Sequence, residues 1–135
     1  MSERIFDLDA RLIEFAAGVI IFSETLPRTI AGNHLANQLS RSGSAPALHY
    51  GEAQRAESRN DFIHKMKVAL KELGESFNCL RVIKRINWEE VQSPDLLLDE
   101  NNQLISIFVK SIETAQRNNN NQQFKINEKT RKSRV

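Results

Sequence analysis

The chain has 135 residues and a mass of 15.5 kDa, the size of a single domain. Five glycines and three prolines exclude collagen-like and Pro/Gly-rich disordered classes and disfavour an all-β domain, while a lone cysteine excludes an intrachain disulfide framework and points to a reducing, cytosolic setting. The net charge is +2 with a pI near 8.9, so a nucleic-acid reading depends on where the charge lies.

The first predicted element is a helix over about 7–26. Leu8, Leu12, Phe15, Ala16, Val19, Phe22 and Leu26 recur at steps of three and four, and Pro27 closes the run. Ile5, Ile13, Ile20 and Ile21 widen this stripe, which predicts burial on two sides. Its most apolar stretch, 15–22, is far shorter than the roughly 20 residues a membrane span needs. Ser2-Glu3-Arg4 leads directly into mixed polar sequence, so no signal peptide is expected.

A second helix is predicted over 28–55, carrying Ile30, Leu35 and Leu39. Small residues crowd 40–47 and let a neighbouring backbone come close; Pro46 predicts a kink there, or a break into two helices. The third helix, 58–86, opens on the capping word Ser58-Arg59-Asn60-Asp61 and continues with Phe62, Met66, Ala69, Leu73, Phe77, Leu80 and Ile83. The fourth, 94–117, opens at Ser93-Pro94-Asp95 and presents Leu97, Leu104, Phe108 and Ile112. Four amphipathic helices with short links and no strand pattern predict an all-α, antiparallel, up-down-up-down four-helix bundle over 1–117.

Charge divides along these elements. Residues 1–27 sum to -3, 28–85 to +5, 86–117 to -4 and 118–135 to +4. The last segment begins with four asparagines and two glutamines, holds little apolar bulk, and reads as a disordered basic tail. Lys129, Arg131, Lys132 and Arg134 would make it a basic arm for RNA, DNA or an acidic partner.

Inside the third helix, Lys67, Lys71, Asn78, Arg81 and Arg85 fall on one stripe, interrupted by Glu75, with Lys84 nearby. This reads as a solvated face, a phosphate-tracking surface, or a contact with an acidic helix of a neighbouring subunit. Arg41 and Glu52 lie eleven residues apart on roughly one helix face, and with Tyr50 they are predicted to form a polar cluster against the third helix that fixes register. Trp88 follows the third helix and would cap the bundle end or anchor an interface.

Catalytic and metal signatures are missing. His34, His49, His64 and Cys79 form no close ligand pair, and no Glu-x-x-His word, G-x-S-x-G or phosphate-binding glycine loop occurs. Cys79 beside Leu80 reads as a packed small residue. Gly18 and Gly74 inside helices would be explained by close helix approach. No enzyme, metal or cofactor is expected.

Several words in order, namely Gln38-Leu39, Arg41-Ser42-Gly43-Ser44, Tyr50, Glu52-Ala53, Ser58-Arg59, Asp61-Phe62-Ile63, Lys65 and Ala69-Leu70-Lys71-Glu72, closely resemble the bacterial four-helix bundle family also called 23S rRNA intervening-sequence proteins. The resemblance runs from about residue 5 to 117 and leaves the tail outside. It implies a cytosolic bacterial protein assembled as a homo-pentameric ring. It also implies kinship with the accessory protein of diversity-generating retroelements, which associates with a reverse transcriptase and nucleic acid. Where relatives read Ser-Val-Gly-Ala-Asn-Tyr, this chain reads Ala45-Pro46-Ala47-Leu48-His49-Tyr50, so the polar serine and asparagine are lost. The expected function is a non-enzymatic, homo-oligomeric adaptor for nucleic acid or a nucleoprotein; the alternative is a protein-interaction module that binds no nucleic acid.

Overall fold

A computed structural model describes residues 7–133, with side chains through Arg131. Ile5 and Arg134 lie outside the described residues, as does the Lys132 side chain. Four helices follow in order: α1 (Leu8–Ser23), α2 (Ile30–Gln54), α3 (Arg59–Ile86) and α4 (Asp95–Ser133). No strand occurs among the described residues.

Local chemistry sets most of the boundaries. The first free N–H groups of three helices are taken up by side chains: Asp7 accepts from Ala10, Thr29 from Gly32 and Ser58 from Asp61, at 3.0–3.1 Å. Asn87 ends α3 in the left-handed conformation, φ 58°, its N–H bonded to the Ile83 carbonyl. The remaining half of the predicted Ser58 capping box is absent, because Asp61 turns to Lys65 at 3.4 Å.

α2 is a single helix, so the alternative of a break at Pro46 does not hold. Proline removes one hydrogen bond, but α2 packs against both α1 and α3, and Pro46 is itself buried. The small residues before it have the predicted use. A Cβ built on Gly43 would lie 2.5 Å from Val19 Cγ1, so only glycine allows α1 this close. At Gly18 a Cβ would come only within 3.3 Å of the Leu97 side-chain end on α4, a milder approach, and Gly74 faces open space and has no such explanation.

Packing runs α1 to α2, α2 to α3, α3 to α4, and α4 back to α1. Paired side chains fix the directions. Arg41 meets Glu72 and Glu75 while Leu35 meets Cys79; Lys84 meets Asp95 while Arg59 meets Gln122; and Arg11 meets Glu100 while Gly18 meets Leu97. Higher numbers on one helix face lower numbers on the next, which is the antiparallel packing of a four-helix bundle. Leu12, Phe15, Val19, Leu39, Met66, Leu73, Leu80, Leu104 and Phe108 form its centre, each at most 2% exposed. Burying a side chain of this size contributes about 1.5–3 kcal/mol.

Three predicted details differ. Ile13, Ile20 and Ile21 are exposed, because the core takes only the Leu12–Phe15–Val19 side of α1. Phe62 and Phe77 are half-buried, and Ile63 and Ser76 take the adjoining core places. The largest difference is at the C-terminal end. α4 does not fade near Arg117 into a disordered tail; it continues as helix to Ser133. The Asn/Gln run has partners: Asn119 bonds Asn60 and Gln122 bonds Arg59 on α3, and Gln123–Asn127 and Glu128–Arg131 link successive turns. Basic residues at this end also suit the negative pole of the helix. Since Arg59 is the first residue of α3, the 11 residues after Gln122 project beyond that neighbour, about 16 Å at 1.5 Å per residue.

Candidate nucleic-acid interface

The α3 stripe forms as one surface. Lys67, Lys71, Asn78, Arg81 and Arg85 are all exposed on the side of α3 away from the core. Arg81 bonds the Asn78 side chain at 3.1 Å. Among the described residues none of Lys67, Lys71, Arg81 and Arg85 is in an ion pair, whereas Arg11, Arg41, Lys65 and Lys84 all are.

Glu75, which interrupts this stripe in sequence, is drawn aside. Arg41 of α2 holds Glu75 at 3.0 Å and Glu72 at 3.1 Å, with Gln38 also bonded to its guanidinium at 3.2 Å. The two carboxylates raise the Arg41 pKa, the hydrogen bond to Glu75 being the largest cause. Both acids in the middle of α3 are thereby turned toward α2, and the outer face is left cationic.

The predicted cluster of Arg41, Tyr50 and Glu52 separates. Arg41 does tie α2 to α3, as predicted. Tyr50 instead sets its ring edge against Phe108 of α4, centroids 6.1 Å apart, and burial together with Asp9 and Asp7 raises its pKa. Glu52 lies 3.5 Å from His49 one turn back. Spacing put only Arg41 and Glu52 on roughly one face; Tyr50, nine residues from Arg41, falls about 180° round the helix and so meets α4 while Arg41 meets α3.

At its C-terminal end the stripe runs into a groove between α3, the 87–94 connection and the start of α4, with a volume of about 1280 Å³. Arg81, Lys84 and Arg85 line it with Phe77, Trp88 and Leu98. Trp88 is half-buried and packs against the core just past α3, which fits the first of its two predicted roles, capping the bundle end. Lys84 bonds Asp95 at 2.7 Å and, with Ser93, holds that carboxyl below its usual range. Asp99, also in the groove, accepts from Gln103 at 2.9 Å. Neither the groove nor the masking of Glu75 is legible in the sequence.

On the projecting end of α4, Lys129 and Arg131 are exposed, and Arg131 is bonded to both Glu128 oxygens at 2.8 Å. Lys132 lies on the same helix. His34 and His64 are exposed and distant in sequence from half-buried His49; among the described residues no group of three or more His, Cys, Asp or Glu could hold a metal. The Cys79 thiol, raised in pKa by burial, lies 3.6 Å from the Leu35 carbonyl. No helix among the described residues is long and apolar enough to cross a membrane.

The sequence profile of the 23S rRNA-intervening sequence protein family matches residues 9–110. The chain belongs to that family. The match covers α1 to α3 and the first part of α4, and the projecting end lies outside it. Among solved structures, the fold is similar to that of a protein of unknown function from the S23 ribosomal protein family of Bacteroides thetaiotaomicron, at 24% identity and TM-score 0.68. The likeness covers 77% of this chain and 96% of that one. Curated proteins give no match.

Proposed function

We propose that this 23S rRNA-intervening sequence protein is a non-enzymatic, cytoplasmic, homo-oligomeric adaptor that holds RNA or DNA, free or within a nucleoprotein such as a reverse transcriptase complex, on the outer face of α3. The observation that carries this reading is Arg41 drawing Glu75 aside from that face while, among the described residues, Lys67, Lys71, Arg81 and Arg85 are in no ion pair. Unpaired cations along one straight helix are what phosphate binding needs, because each releases a counterion on contact. A ring, such as the pentamer, would repeat the stripe around its rim and add avidity. A fluorescent oligonucleotide titrated at about 50 mM salt and again at about 200 mM tests it. Binding that weakens steeply with salt is expected, and no binding at the lower salt overturns the proposal.

A second reading rests on α1, where Ile13, Ala17, Ile20 and Ile21 form an exposed apolar strip beside the acids Glu14 and Glu24. This surface supports the oligomer, and without nucleic-acid binding it would make the chain a protein-interaction module. Light scattering tests the oligomer, and a species of 15.5 kDa would overturn it.

A further inference from the structure

The α3 stripe ends in a feature that phosphate tracking alone does not require. Trp88 is the chain's single tryptophan, and its place in the groove follows from the left-handed Asn87, which stops α3 and turns the chain back. The indole is half-buried, packs against the core and lines the groove with Phe77 and Leu98. Arg81 and Arg85, the last two cations of the stripe, line that same groove. A cationic track of about 27 Å, counted over 18 residues, therefore leads onto an aromatic surface.

Resting on the proposed function, we infer that the Trp88 groove takes an unpaired base of a single-stranded nucleic acid, whose backbone continues along Arg85, Arg81, Lys71 and Lys67. Every base has a π-face that stacks on an aromatic ring, and guanidinium planes stack on bases as well. A duplex keeps its bases stacked on one another and has no face to offer Trp88. Charge favours an anionic backbone here: with Lys84 and Asp95 paired to each other, Arg81 and Arg85 stand against the single remaining groove acid Asp99, which accepts from Gln103. The proposal thus names the substrate class as single-stranded RNA or DNA with an exposed base.

Trp88 itself reports the test, since all indole emission comes from the groove. The full chain is titrated with single-stranded oligoadenylate, with a duplex of equal length, and with an abasic sugar-phosphate oligomer. Quenching by the single strand alone is expected. Trp88→Ala should lower single-strand affinity about tenfold and leave duplex affinity unchanged, the size of one lost base stack. Trp88→Phe, which retains a ring at the bundle end, should keep most of the single-strand affinity, so a merely structural loss is separated from lost stacking. Equal binding of all three probes with no change in emission overturns the inference and leaves the phosphate-binding face intact. Displacement of the single strand by oligoglutamate, with the same quenching, also overturns it. Failure of every nucleic acid to bind removes the proposed function as well.

Discussion

Arg41 Nη2 on α2 lies 3.0 Å from Glu75 Oε1 on α3, and its Nη1 lies 3.1 Å from Glu72 Oε1. One arginine joins two helices and pairs with Glu75, the acid that interrupts the cationic stripe in sequence, as well as with Glu72. The pairs are solvent-accessible, and exposed ion pairs add little to stability. Arg41→Ala is therefore expected to leave the urea midpoint nearly unchanged and to weaken oligonucleotide binding severalfold at low salt. An unchanged affinity would show that Glu75 does not face the bound phosphates.

The stripe and the projecting end of α4 are separable. Reversing Lys67, Lys71 and Arg81 to glutamate should abolish binding near 50 mM salt. Neutralising them one at a time should flatten the log–log salt slope by about 0.7–0.9 for each phosphate no longer engaged. Deleting 123–135 removes the exposed cations beyond Gln122 and should leave the stripe's share intact. If the deletion removes all binding and the reversals none, the surface lies on α4.

Asn101 and Ser76 are both fully buried between α3 and α4. In the orientation that satisfies the whole amide, Asn101 donates to the Leu73 carbonyl at 3.0 Å and accepts from Ser76 Oγ at 2.8 Å and the Phe77 N–H at 3.1 Å. Asn101→Ala should cost about 1–3 kcal/mol in urea unfolding, the usual penalty for stranding buried polar groups. Adding Ser76→Ala should cost less than the sum of the single effects, because the partners already share one network.

Gly43→Ala sets a Cβ against Val19 and should destabilise the fold by about 1–3 kcal/mol, as overpacking does. Val19→Ala in the same chain should recover part of that loss. Gly74→Ala, with nothing within 4 Å, should stabilise by up to about 1 kcal/mol through helix propensity alone. Thermal melts of these variants check all three expectations.

Burial lifts the Cys79 thiol above its ordinary value of 9.0. The neutral form is thus the one the fold prefers. Its contribution to stability is whole below pH 9 and is lost as pH rises through the raised value. Labelling by a thiol reagent near pH 8 should be slow in the folded chain and fast in urea, and Cys79→Ala should flatten the alkaline loss of stability. Equal labelling rates in both conditions would contradict the burial.

The helices were legible because their causes are local: Ser58 as a cap, the three-and-four spacing through Met66, Ala69 and Leu73, and Ser93-Pro94 ahead of α4. Asn101 left a faint sign, standing in the core register between Leu97 and Leu104, and its spacing alone would have marked it as a buried polar residue. The end of α4 misled, since polar composition does not reveal that Asn119 and Gln122 find partners on α3.

By itself the sequence determined four helices, their polarity, the cationic stripe and the family words, all readable from residues a few positions apart. Only tertiary structure decided that Pro46 stays inside one helix, that Tyr50 turns to Phe108 rather than to Arg41, and that Glu75 leaves the stripe for Arg41. The physical reason is distance along the chain. Arg41 and Glu75 are 34 residues apart, and which of several carboxylates a guanidinium meets depends on how two helices are set against each other.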